Sequence, residues 1–224
     1  MNAPRPRVST QAHYAQLAEV YAERANVHAN ERYRLECLEW IKPCRKILDV
    51  GCGTTNLIAE LRRDLQKDVF GIDASVAMLA QSPGRGCVAG SLAEQLPFGD
   101  NTFDGVLSIN LLEHVAEPRR VLQELVRVLR VGGRLALATP AAECSAFLDL
   151  AERLRLKIPE GPHRFLRRQE LLEFAAATGF RAVTCRQILI LPIGGKRLAR
   201  AMYSIERRMP SIGLIHWLVA ERDR

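Results

Sequence analysis

One stretch constrains this chain more than any other: Ile47-Leu48-Asp49-Val50-Gly51-Cys52-Gly53-Thr54-Thr55-Asn56. An apolar run ends in a carboxylate, turns through two glycines and passes into a helical pattern. That order reads as strand, tight loop and helix start. The glycines let the backbone pass close to a ligand with no side chain in the way. The helix that follows offers free N–H groups to a negative group. A second apolar run, Val69-Phe70-Gly71-Ile72-Asp73, also ends in an acid. A carboxylate at the tip of the second strand of such a unit accepts hydrogen bonds from both ribose hydroxyls of a nucleoside. Asp73 is therefore expected to hold a ribose, the alternative being an acid at a helix N-terminus.

The rest of the chain continues the alternation. Strands are expected at 45–50, 68–72, near 86–89, at 103–109 and at 134–139. Helices are expected at 54–65, 75–81 and 117–130. The last of these carries Val121, Leu122, Leu125, Val128 and Leu129 on one face and is stopped by Gly132-Gly133. Such an alternation gives an α/β fold with a parallel sheet covered on both faces. Residues 9–40 read as helix. After strand five come a helix near 143–156, an irregular link at 158–163, and a helix at 168–178 ending at Gly179. Strands at 181–191 and 213–221 flank an amphipathic helix at 195–209.

With 224 residues, 48% apolar and 25% charged, the composition is that of a globular domain with one sizeable core. No apolar run reaches the length of a membrane span, and residues 1–7 carry no hydrophobic signal core. A cytoplasmic protein is expected. The six cysteines form no C-x-x-C pair and sit beside no ligand-spaced histidine, so reduced thiols and no metal site are expected. The net charge of +7 falls almost wholly after residue 140. It reads either as a solvated basic face or as attraction to an acidic substrate or an anionic membrane surface. For the basic 195–209 helix the choice is the same: packing on the domain, or peripheral membrane contact. Nucleic acid ranks last, because no aromatic residues interleave the basic ones to stack bases.

Three further segments follow in order: Leu96-Pro97-Phe98-Gly99-Asp100-Asn101-Thr102-Phe103-Asp104, then Leu112-Glu113-His114-Val115, then Glu124 through Leu135 with Gly132-Gly133. Together with the first loop they resemble the class I S-adenosylmethionine-dependent methyltransferases, in the small-molecule branch that includes the quinone-pathway enzymes. The likeness is strongest over about residues 45–140. It implies a Rossmann-like, mostly parallel seven-stranded sheet with an antiparallel last strand and helices on both faces. It also implies one domain over 1–224, with a helical cover at 1–40 and substrate-side additions at 141–180 and 192–212. S-adenosylmethionine is the implied cofactor, S-adenosylhomocysteine the product, and a small or lipid-like molecule the acceptor.

By the same resemblance, Asp49 holds the loop and the cofactor's amino group. Gly51, Cys52 and Gly53 supply the close approach, with Cys52 as a small packing residue. Asp73 meets the ribose, Ala74 lies beside it in the cofactor site, Ser91, Leu92 and Ala93 meet the adenine, and Asn110 the methionine part. The Tyr14–Tyr21 pattern resembles the segment that covers the cofactor, an ordinary packing helix being the other reading. Three positions depart from the pattern. Relatives carry an acid where Leu92 falls, a glycine where Thr55 falls and a proline where Val131 falls.

Methyl transfer from a sulfonium is an in-line displacement. The protein needs mainly to align the nucleophile, and a base only where the acceptor must lose a proton. His114 and His163 are the base candidates; each has a structural alternative, a loop-bonded histidine for the first and a surface histidine for the second. Two competing readings stand beside this one. A nicotinamide-dependent dehydrogenase would want a third glycine where Asn56 stands, and a non-catalytic cofactor binder is favoured by Leu92 and Thr55.

Overall fold

The computed structural model describes residues 10–24, 27–54, 56–82, 88–153, 164–188 and 213–223. His163, Thr55, Cys87 and the 195–209 segment lie outside them. Seven strands form one sheet: β1 (Lys46–Val50), β2 (Asp68–Asp73), β3 (Val88–Gly90), β4 (Phe103–Ile109), β5 (Leu129–Pro140), β6 (Phe180–Ile188) and β7 (Ile215–Arg222). Their order is β3-β2-β1-β4-β5-β7-β6. The pairings from β3 through β5 are parallel, and β7 runs antiparallel to both neighbours. This is the Rossmann-like sheet with an antiparallel last strand that the sequence implies.

The central strands are apolar at nearly every position because both faces are covered. Successive side chains point to opposite faces. Leu48, Val50, Val106, Leu135, Leu137 and Leu218 go to one core. Ile47, Leu107, Ala136, Ala138, Trp217 and Val219 go to the other. Helices α5 (Pro118–Val128) and α7 (Arg168–Thr178) cover the first core, through Val121, Leu122, Leu125, Leu171 and Ala175. Helices α2 (Val27–Ile41), α3 (Asn56–Leu65) and α6 (Ser145–Arg153) cover the second, through Cys37, Ile41, Ile58, Leu61 and Leu148. Each such fully buried aliphatic side chain contributes about 1.5–3 kcal/mol relative to exposure.

Two expectations need correction. The single helical reading of 9–40 resolves into α1 (Thr10–Arg24) and α2, which do different work. α1 packs on α4 (Val76–Ala80) above the sheet edge, and α2 packs on α3, β4 and β5. The helix expected at 117–130 ends earlier. Leu129 is already extended (φ −84°, ψ 133°) and pairs with Phe103, so the glycine pair lies inside β5. The register then jumps to Gly105 opposite Arg134, with Gly132 at φ +71° in the bulge between. A β-carbon at Gly133 would fall 2.7 Å from the Arg130 carbonyl oxygen. The two glycines therefore serve a strand bulge, not a helix stop. By contrast Gly179 does end α7, at φ +101°. Among the described residues no helix is long and apolar enough to cross a membrane.

Candidate functional site

The chain leaves β1 toward β2 and β3 on one side and resumes with β4 and β5 on the other. The strand order therefore reverses between β1 and β4, and ligands of open α/β sheets bind outside the carboxyl ends of the strands at that point. A cavity of about 520 Å3 opens there, within the size range of small-molecule sites. Of the twelve candidate residues, Asp49, Gly51, Cys52, Gly53, Asp73, Ala74, Ser91, Leu92, Ala93, Asn110 and His114 all line it. His163 lies outside the described residues.

The glycine loop is clipped to β2, because the Gly51 and Cys52 N–H groups both donate to the Ile72 carbonyl, at 2.8 and 3.0 Å. Gly51 sits at φ +78°, and a β-carbon there would lie 3.0 Å from the Leu111 side chain. Gly71, in the middle of β2, matters as much. A β-carbon there would lie 2.3 Å from Ile58 Cδ1 and 2.7 Å from Cys52 Sγ. Its bare backbone lets the loop sulfur and α3 settle on the strand. Burial pushes the Cys52 thiol well above its ordinary range, so it stays a protonated packing group.

Asp73 braces this loop. Its carboxylate accepts from Gly53 N–H and from Ser75 N–H, each at 2.8 Å. A carboxylate offers about four lone-pair positions, so two remain for a diol. Burial raises the Asp73 pKa and the two backbone donors pull it back. Asp49, 3% exposed, has its pKa raised to about 7 by burial first and the charge of Asp73 second. The Ala74 carbonyl accepts from Gln11 Nε2 at 2.6 Å, which ties α1 to the loop after β2. Ser91 Oγ lies 3.1 Å from the Gln95 carbonyl, within its own loop. Leu92 is 57% exposed at the cavity wall, whereas Ala93 is buried.

Beyond β4, Asn110 adopts φ +52°, tolerated by a short polar side chain, and its Oδ1 accepts from Tyr33 Oη at 3.2 Å. His114 ends a short 3-10 turn, Leu112–His114. Its Nε2 lies 3.0 Å from Tyr14 Oη and 3.9 Å from Glu113 Oε1. Tyr14 also stacks edge-on against the imidazole at 5.3 Å. The fully buried Glu113 accepts from Thr139 Oγ1 at 3.0 Å.

Several wall residues were not picked out in sequence. Tyr33, Glu31 and Glu60 come from α2 and α3, and Glu94 lies two residues beyond Leu92. Arg34 bonds Glu31 at 2.6 Å and lies 3.8 Å from Glu60. Only the seven-residue spacing of Tyr14 and Tyr21, two turns on one helix face, carried a local signal. Among the described lining residues five are acids, Glu31, Asp49, Glu60, Asp73 and Glu94, and none is Lys or Arg. The basic excess of the chain thus does not reach this part of the cavity. Among the described residues no cluster suits a metal ion.

Comparison with known proteins agrees with this geometry. Residues 48–137 match the family described as "Methyltransferase domain". The chain is 30% identical over 168 residues to a ubiquinone biosynthesis O-methyltransferase of Idiomarina loihiensis, covering 67% of this chain and 68% of that one. It is 32% identical over 155 residues to the O-methyltransferase resE of Aspergillus sclerotiorum, covering 61% of this chain and 55% of that relative, so it spans little more than half of the fungal protein. A solved S-adenosylmethionine-dependent methyltransferase from Archaeoglobus fulgidus superposes with a TM-score of 0.65 at 18% identity, over 94% of this chain and 99% of its own, which shows a shared fold. With an acid ending β2, a glycine loop after β1 and these relatives, the chain belongs to the class I S-adenosylmethionine-dependent methyltransferases.

Proposed function

We propose that this protein transfers a methyl group from S-adenosylmethionine to a small or lipid-like acceptor in the cavity at the β1/β4 switch point. The observation that carries the reading is the Asp73 carboxylate, which accepts from Gly53 N–H of the glycine loop and from Ser75 N–H after β2, and lines the cavity. It is set to receive a ribose diol. The all-acid charge of the described lining suits a ligand that bears both a sulfonium and an ammonium. Asp49 would take the ammonium group, and the backbone around Ser91, Leu92 and Ala93 the adenine edge. Bound there, the cofactor supplies an activated methyl group. The chain's own part is then to orient the acceptor, exclude water and receive a proton where the acceptor must lose one. α1 covers the cavity and is held by the Gln11–Ala74 bond. His114, beside the buried Glu113, is the group placed to hold that proton.

Isothermal titration with S-adenosylhomocysteine and with NAD tests the cofactor. Binding of the first and not the second is expected, and the reverse overturns the reading. Transfer of labelled methyl from S-adenosylmethionine is then followed across a panel of phenols, quinols, amines and isoprenoid lipids. Cofactor binding with no transfer to any of them would favour a non-catalytic binder.

A further inference from the structure

His114 is placed as a base, yet its outward nitrogen does not face the cavity bare. Tyr14 Oη sits 3.0 Å from Nε2, the phenol ring stacks on the imidazole, and the His114 side chain is only 7% exposed. Tyr14 itself lines the cavity. Glu113 Oε1, fully buried, lies 3.9 Å from the same Nε2. The phenol and the carboxylate thus both flank that nitrogen. Two contacts hold the phenol there. Gln11 bonds the Ala74 carbonyl at 2.6 Å, and Thr10 Oγ1 reaches the His114 carbonyl at 3.4 Å. Both belong to the turn of α1 that carries Tyr14.

We propose that Tyr14 is the residue that meets the acceptor's hydroxyl and relays its proton to His114, so that the acceptor atom is an oxygen. The proposal rests on the methyltransferase reading and specifies its acceptor. The acceptor O–H breaks and its proton passes to Tyr14 Oη, while the phenol's own proton passes to His114 Nε2. The acceptor oxygen's electron pair forms the new O–CH3 bond, and the pair of the broken S–CH3 bond stays on sulfur. Tyr14 ends as a neutral phenol and His114 as an imidazolium. Glu113 faces that new positive charge in a site shielded from water, where a nearby carboxylate stabilises it more than in bulk solvent. A direct transfer to Nε2 would require the phenol to leave its hydrogen bond first. An amine that reacts as its free base needs no proton taken from it before attack.

The relay requires that Nε2 be an acceptor before reaction, so the resting proton of the imidazole must sit on Nδ1. Nitrogen-15 NMR of the full-length protein with S-adenosylhomocysteine reads that directly, with His114 assigned by the signals lost in His114→Gln. The expected result is an unprotonated Nε2 whose shift moves in Tyr14→Phe. S-adenosylhomocysteine affinity should stay within about threefold, the mark of an intact fold. A proton on Nε2 in the wild-type protein overturns the relay whatever the variant does, and so does an Nε2 shift unmoved by Tyr14→Phe. In the acceptor panel, Tyr14→Phe should slow transfer to a phenol by about a hundredfold, the lower end of acid–base contributions. Methylation found only on nitrogen or carbon overturns the proposal while leaving the methyltransferase reading intact. Failure to bind S-adenosylhomocysteine would instead sink the reading itself.

Discussion

Replacing Asp73 with alanine tests the proposed cofactor site most sharply, because that carboxylate braces the loop and, in the proposed reading, also holds the ribose. One lone pair on each oxygen is spent on Gly53 and Ser75. The remaining pairs are those available to the ribose. Hydrogen bonds to a charged group contribute about 1.5–3 kcal/mol each, less when the donor was already hydrated. In the variant, the two freed N–H groups can turn to water, so the fold should survive and the loss should fall on the ligand. Two weakened ribose bonds then amount to about 2–3 kcal/mol, roughly 30- to 150-fold in Kd. A second signature accompanies the first. The charge of Asp73 helps hold the Asp49 pKa at about 7. Below that pH Asp49 is mostly protonated and cannot take an ammonium group, so binding should weaken about tenfold per pH unit below 7 and level off above it. Removing Asp73 lowers the Asp49 pKa, so the midpoint of this pH dependence should move to lower pH in Asp73→Ala. Isothermal titration with S-adenosylhomocysteine between pH 5 and 8, in two buffers of different ionisation enthalpy, reads both the Kd and the proton released. An unchanged Kd at pH 8 removes Asp73 from the ribose site. A weakened Kd with an unmoved midpoint refutes the coupling between the two acids.

Other perturbations follow from the same geometry. Gly51→Ala forces an L side chain to φ +78° against Leu111, and should cost about 1–2 kcal/mol, read as a lowered Tm together with weaker S-adenosylhomocysteine binding; an unchanged Tm contradicts it. Leu92→Asp places a carboxylate at an exposed point of the cavity wall, and should keep or improve cofactor affinity by about 0.5–1.5 kcal/mol, whereas a large loss would mean that adenine packs on the leucine. The ligand-free protein should also show the burden of Asp49. Its folded pKa, about 7, lies above the ordinary 3.8, so the native state binds this proton more tightly than the unfolded chain. Stability from this group is greatest near pH 4 and is lost as pH rises to 7. Denaturant unfolding at pH 5 and pH 7.5 should therefore show Asp49→Asn gaining on the wild type at the higher pH; a constant difference would deny the shift.

The sequence by itself determined the layered sheet and the loop at its switch point. Ile47, Leu48 and Val50 are all apolar because neighbours cover both faces of β1, and that burial writes itself into consecutive residues. Gly51 stands where the backbone must take a positive φ, and Asp73 where the second strand ends. These are local demands, and local composition records them. The tertiary structure decided the rest. Gly132-Gly133 has the composition of a helix stop, but pairing of Leu129 with Phe103 draws the pair into a strand bulge. Gly71 reads as an ordinary strand glycine until Ile58 and Cys52 are seen lying on it. Leu92 departs from the family pattern in sequence, whereas the fold brings Glu94 into the same wall from two residues on. Tyr33 reaches Asn110 across 77 residues, and Tyr14 reaches His114 across 100. Such pairs depend on where α1 and α2 settle on the sheet. That is fixed by summed burial over many side chains, and no residue pattern near His114 or Asn110 encodes it.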